Sequence, residues 1–272
     1  MPPPPPPSLP ILQVAGVSVR IDAKAILTDI HFAIASGQVC ALIGENGAGK
    51  TTLLRSILGV QSMQSGTIQI LGQPAARQLH RLGYVPQKIS FDPDLPLRTR
   101  DLVDLGIPRP FWRWRPPDPH AVAEAIHAVD GEGFANQRVG RLSGGQQQRA
   151  VIAHALARKP KLLLLDEPLA NLDFASANHL VQLLGRLAKE QGISIVVTAH
   201  DMNPLLPILD QLVYLVGGRA ATGSVAEVVR TEVLTKLYGY PVEVLQHHGR
   251  LLVLPENPRQ GLEIPCYAHD HD

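Results

Sequence analysis

The chain has 272 residues, 45% of them apolar, and a formal net charge of +1. That length allows one large domain or two small ones, with the apolar content of an ordinary globular protein. A charge this close to zero excludes the electrostatic footprint of a nucleic-acid binder. No run of about 18 apolar residues is present to span a membrane as a helix. The N-terminus is proline rather than a basic segment followed by an apolar one, so no signal peptide is read. Cys40 and Cys266 lie far apart, and Cys40 falls in an apolar run as a small buried residue. The expectation is a cytosolic, reduced protein.

Taken in chain order, Pro2 to Pro7 is a proline run that cannot enter helix or sheet. It reads as a solvated polyproline II extension or as a peptide ligand. Val14 to Ile21 and Ile30 to Ala35 read as strands, with Ser36-Gly37 as a turn. Val39 to Ile43 is an apolar run that reads as a buried strand. It leads into Gly44, Glu45, Asn46, Gly47, Ala48, Gly49, Lys50 and Thr51, which match GxxxxGK[ST], the pattern of a phosphate-binding loop. A helical run from Thr52 to Leu58 leads out. Glycines let the backbone curl so that successive N–H groups point inward at phosphate, and the helix N-terminus adds partial positive charge. Lys50 is placed on the terminal phosphates and the Thr51 hydroxyl on Mg2+.

Thr67 to Leu71 and Gly83 to Val85 are two further strand candidates. Residues 92–120 are crowded with proline and read as a loop-rich insertion, followed by a helix from about Ala121 to Val129. Leu142-Ser143-Gly144-Gly145-Gln146 opens a helix to Arg158. Ser143 reads as its N-cap, and the bare N–H groups make either a second anion site or a plain capped helix. Leu162 to Leu165 is a strand buried on both faces that ends in Asp166 and Glu167. At a strand end, Asp166 reaches a Mg2+ shell and Glu167 holds the attacking water as general base. Phe174 to Glu190 reads as a helix, Ile193 to Thr198 and Leu212 to Val216 as strands, and Val225 to Tyr238 as a last helix. Strands alternating with helices predict an α/β fold with a mixed sheet around a parallel core.

The ordered set of phosphate loop 44–51, Gln87 in Tyr84-Val85-Pro86-Gln87, Leu142 to Gln146, acidic strand 162–167, Asn171-Leu172-Asp173 and His200 resembles the ATP-binding subunit of an ABC transporter. The resemblance covers roughly Leu12 to Gly239. It implies a P-loop NTPase domain over 11–240 with an N-terminal antiparallel β part and a helical subdomain inserted at about 90–150. Residues 1–10 and 241–272 are left as tails. It also implies a head-to-tail homodimer with two ATPs at its interface. Ser143, Gly144, Gly145 and Gln146 would then contact the nucleotide of the opposite chain, whose own loop supplies residues 44–51 and Thr52. Gln87 would sense Mg2+ and the attacking water, Asp173 would communicate across the dimer, and His200 would contact the γ-phosphate and position Glu167. The expected catalytic set is therefore Glu167, His200 and Gln87, and the expected Mg2+ set is Thr51, Gln87 and Asp166. Such families place an adenine-stacking aromatic about where Ile21 stands, and Ile21 offers only apolar contact. Asn171 stands where a small residue is common.

Segment 82–103 and the stretch Leu237 to Val244 resemble the zinc and manganese uptake branch. That resemblance implies import of a divalent metal through a separate membrane permease, fed indirectly by an extracytoplasmic solute-binding protein. It places this subunit on the cytoplasmic face of the inner membrane. The alternatives are an importer of another small solute, such as a siderophore or haem complex, and a soluble ABC ATPase. One cassette and no heptad run speak against the last. His247, His248, Cys266, His269 and His271 are metal-ligand types that read either as a divalent-ion site or as a polar terminus. Phe111-Trp112-Arg113-Trp114-Arg115 reads as a nucleic-acid stacking segment, a membrane-interface contact near a permease, or a packing cluster.

Overall fold

The computed structural model describes residues 9–87, 90–108 and 118–255. The readings of Pro2 to Pro7, of Phe111 to Arg115 and of Cys266, His269 and His271 lie outside those residues. In chain order the elements are β1 (Leu12–Ile21), β2 (Lys24–Ile34), β3 (Val39–Gly44), α1 (Lys50–Ile57), β4 (Ser65–Ile70), β5 (Gln73–Pro74) and β6 (Leu82–Val85). Then come α2 (Thr99–Leu105), α3 (Pro119–His127), α4 (Gly144–Leu156), β7 (Leu162–Leu165), α5 (Phe174–Gln191) and β8 (Ser194–Ala199). The chain ends with β9 (Gln211–Val216), β10 (Arg219–Gly223), α6 (Val225–Val228), α7 (Thr231–Tyr238), β11 (Val242–His247) and β12 (Arg250–Pro255).

Two sheets carry the fold. The larger has the order β10-β9-β3-β8-β7-β6, parallel except for the antiparallel edge strand β10. The smaller is an antiparallel sheet, β2-β1-β4-β5, so the expected mixed sheet and N-terminal antiparallel part are both present. Alternation along the central strands builds two cores from one sheet. Val39, Ala41, Ile43, Leu163, Leu165, Ile195 and Val197 face α4 and α5. Cys40, Leu42, Leu162, Leu164 and Val196 face α1 and the small sheet. A strand buried on both faces must be apolar throughout, which is why 162–165 is four leucines. Burial also pushes the Cys40 thiol far above its ordinary pKa, so this cysteine is an inert filler.

Two expectations are corrected. The segment 92–120 is not wholly loop, because α2 occupies Thr99–Leu105. The prolines stand outside it, at Pro96 and Pro108, and Asp101 accepts a hydrogen bond from the Arg98 N–H at the helix start. Thr99 and Val103 are fully buried against the rest of the helical subdomain. The single helix expected over Val225 to Tyr238 is two helices, interrupted by extended backbone at Arg230. Val228, Val229 and Leu234 all reach the core. They point to different sides of one continuous 3.6-residue helix, so the chain breaks to bury all three.

Residues 242–255, which the sequence leaves in a tail, pair as the hairpin β11–β12. Its two-residue turn is His248-Gly249, both at positive φ (46° and 76°). That is the geometry of a type I′ turn, whose twist matches the strands. Val242 is buried and Val244, Leu251 and Val253 pack against the main core. His247 and His248 lie at the exposed turn with ring centroids 4.2 Å apart.

Candidate functional site

Parallel strands β3, β8, β7 and β6 lie side by side, and the expected site residues gather at their carboxyl ends. Gly44 ends β3, His200 follows β8, Asp166 and Glu167 follow β7, and Gln87 lies two residues beyond β6. Open α/β sheets bind ligands in the crevice outside those ends.

Lys50 opens α1 and is only 5% exposed. Its Nζ donates to the carbonyls of Gly44 (2.6 Å) and Glu45 (3.1 Å) and lies 3.7 Å from Glu167 Oε1. Burial holds the ammonium below the ordinary lysine pKa, while the Glu167 charge pulls the other way. The loop that positions it depends on Gly49, the helix N-cap, at φ 103°. A Cβ there would meet Leu27 Cδ2 at 2.6 Å. Gly49→Ala therefore combines left-handed strain with overpacking. It is expected to cost about 2–6 kcal/mol and to lower the thermal unfolding midpoint accordingly. An unchanged midpoint would show that the loop relaxes without loss.

Glu167 is the hub of the acidic end. His200 Nε2 is 2.9 Å from its Oε1, and Gln87 Nε2 donates to its Oε2 at 2.5 Å. His200 Nδ1 lies 3.4 Å from Lys50 Nζ. An imidazole with its N–H on Nε2 satisfies both neighbours, since Nδ1 then accepts from the ammonium. The Glu167 side chain is 8% exposed, so a carboxylate is kept nearly dry among three polar donors.

Thr198, on β8, ties the two acids together. Its Oγ1 donates to Asp166 Oδ1 (2.8 Å) and accepts from the Glu167 N–H (2.7 Å). Glu167 itself sits at φ 50°, a conformation an L residue adopts at a cost. The sequence marks Thr198 only as a strand residue. The available signal is a hydroxyl two residues before His200, directly after the apolar run Ile195 to Val197.

The donor set for a cation is made of oxygens. Asp166 is 2% exposed, and Thr51 Oγ1 donates to its Oδ1 at 3.3 Å. A buried carboxylate beside a hydroxyl fits a hard divalent ion such as Mg2+. Among the described residues no cluster of three or more His, Cys, Asp or Glu side chains suits a metal ion.

The segment 142–146 is not hydrogen-bonded into this cluster. Ser143 caps α4, accepting from the Gln146 N–H at 3.3 Å while Gln146 Oε1 accepts from the Ser143 N–H at 3.0 Å. Ser143 and Gly144 are exposed. Gly145 packs so close to α5 that a Cβ would come 2.9 Å from Ser176 Oγ. Asp173 caps α5, accepting from Ser176 N–H (2.9 Å) and Oγ–H (2.7 Å), and these bonds hold its carboxyl below the usual range. So 143–146 and Asp173 form a second polar group, joined through Ser176. Ile21 ends β1 on the small sheet and is 41% exposed.

A family model described as ABC transporter matches residues 27–170. The chain belongs to the ABC transporter family. It is an ATP-binding, ATP-hydrolysing member, with the sheet, phosphate loop and acidic strand of that fold in place. It is 36% identical over 241 residues to a probable metal transport system ATP-binding protein of Chlamydia trachomatis, covering 88% of this chain and 93% of the relative. It is 35% identical to a hemin import ATP-binding protein of Rhodococcus jostii (96% and 91% covered). It is also 35% identical to a manganese transport system ATP-binding protein of Halalkalibacterium halodurans (84% and 92%). Among solved structures it is similar to a dimeric ATP-binding cassette in a post-hydrolysis state with ADP and Pi. That match has a TM-score of 0.65, 25% identity and 78% and 98% coverage.

Proposed function

We propose that this ABC ATPase powers import of a divalent metal ion, zinc or manganese, through a separate membrane permease. The observation that carries the metal reading is similarity over most of the chain to ATP-binding subunits named for metal and manganese transport. Segments 82–103 and 237–244, which resemble the zinc and manganese branch, support it. The subunit acts at the cytoplasmic face of the membrane, and no helix among the described residues is long and apolar enough to cross one.

In the working cycle two copies associate head to tail. That 143–146 makes no hydrogen bond to Lys50 or Glu167, while Ser143 and Gly144 stand exposed at the start of α4, supports this, because an exposed helix N-terminus can receive a neighbour's phosphate. ATP binds along Gly44 to Thr52, with Lys50 on its terminal phosphates and Ile21 giving apolar contact to the base. Thr51, Asp166 and Gln87 would hold Mg2+, which would neutralise phosphate charge. Glu167 takes the proton of the attacking water, and His200 orients Glu167. Gln87 links this centre to the permease-facing helical subdomain, so closure on ATP and release after hydrolysis drive transport.

A second reading, import of a haem-type complex, is favoured by the hemin-import relative, which matches 96% of the chain. Both readings are tested by growth and metal content of cells lacking the protein, under chelation. Rescue by added zinc or manganese alone supports the first. Rescue only by haem supports the second, and normal growth and metal content would sink the metal reading.

A further inference from the structure

Asn203 stands three residues beyond His200, at the start of a 3-10 turn over Asn203–Ile208. Its amide is fully engaged. Oδ1 accepts from the Leu251 N–H at 2.7 Å, and Nδ2 donates to the Leu251 carbonyl at 3.0 Å and to Asp201 Oδ1 at 2.6 Å. The same Asp201 oxygen accepts from the Asn203 N–H at 2.9 Å.

These bonds fall where a hairpin needs them. His247–Arg250 closes the two-residue turn, so the next pair, Gln246–Leu251, turns its peptide groups outward. Leu251 thus presents an N–H and a carbonyl along the free edge of β12, and the Asn203 amide fills both as a neighbouring strand would. The opposite edge is held in the same way from α7. Thr231 Oγ1 accepts from the Val244 N–H (3.2 Å) and Thr235 Oγ1 from the Val242 N–H (3.2 Å). The hairpin is therefore fixed on both edges by side chains, and one of them belongs to the segment that carries His200.

His200 needs such support. Its side chain is 46% exposed, and its polar neighbours are Glu167 Oε1 and Lys50 Nζ, so little packing fixes the ring. We propose that Asn203 is a positioning residue for hydrolysis, and that the C-terminal hairpin, through the Asn203–Leu251 clamp, sets how His200 meets Glu167. This rests on the reading of His200 and Glu167 as the hydrolytic pair.

The test uses the full chain and steady-state ATPase kinetics. Asn203→Ala is expected to lower kcat at least about 5-fold, the cost of a displaced catalytic group, with KM for ATP changed less than about 2-fold. Leu251→Pro removes the N–H that Asn203 receives, at an edge position where proline is tolerated. It should give a similar fall, and the double variant should fall no further than the deeper single one. Additive losses would overturn the clamp, leaving Asn203 a local partner of Asp201 only. An unchanged kcat for Asn203→Ala would overturn the proposal outright. Should Leu251→Pro fail to fold, Asn203→Leu, close in size and lacking the amide, decides by the kcat and KM split alone. His200→Ala is the control: full kcat there would remove the hydrolytic reading itself, and the proposal with it.

Discussion

Replacing Glu167 with Gln is expected to lower kcat by about 10²–10⁴-fold, the usual contribution of a positioned general base, while ATP remains bound. The substitution keeps shape and planarity, so Thr198 still receives the backbone N–H at position 167. The amide oxygen still accepts from His200 or Gln87, which reach the two carboxylate oxygens at 2.9 and 2.5 Å. What disappears is the ability to take a proton. Lys50, which loses one negative neighbour at 3.7 Å, keeps the Gly44 and Glu45 carbonyls. Binding should therefore survive, and ATP should hold the dimer closed. Phosphate release at saturating ATP reads the rate, nucleotide titration reads affinity, and size-exclusion chromatography with ATP reads the dimer. A variant that hydrolyses ATP at the wild-type rate would remove Glu167 from the role of base.

The parts of this site that the sequence made legible are those where chemistry and backbone coincide. The phosphate loop is written in glycines because Gly49 sits at φ 103° against Leu27, where no other residue fits. Asp166 and Glu167 follow four leucines because a strand buried on both faces must end before a charge can appear. The elements missed were those decided by distant packing. Helix α2 is hidden among prolines that flank it, and only burial of Thr99 and Val103 reveals it. The break between α6 and α7 has no glycine or proline at Val229-Arg230, because it answers to three core contacts, not to local propensity. The hairpin β11–β12 is short, and its edges are closed by Asn203, Thr231 and Thr235 from elsewhere in the chain. Thr198 is not legible as a site residue because its partners, Asp166 and Glu167, follow a different strand, β7.

Lys50→Ala should give the opposite phenotype, a loss of binding instead of a loss of turnover. The Lys50 ammonium is held at the first turn of α1 and shielded from water, so its charge acts at close range on whatever occupies the loop. Hydrogen bonds to a charged group contribute about 1.5–3 kcal/mol, so removing this one is expected to weaken ATP binding roughly 10- to 150-fold. The backbone N–H groups of the loop and the α1 N-terminus remain, which is why some affinity should persist. Thermal unfolding with and without ATP reads the effect. A ligand that binds only the folded state raises the midpoint, and at an ATP level that shifts the wild type the variant should shift little. A variant that keeps the wild-type ATP affinity would show that the loop backbone alone holds the nucleotide. Because Lys50 and Glu167 lie 3.7 Å apart in one network with His200, their substitutions should not combine additively. Once binding is lost at Lys50, little turnover remains for Glu167→Gln to remove at low ATP. At saturating ATP a Glu167 loss should still be visible in the Lys50→Ala background, though smaller than in the wild type, which separates the binding role from the chemical one in a single pair of variants.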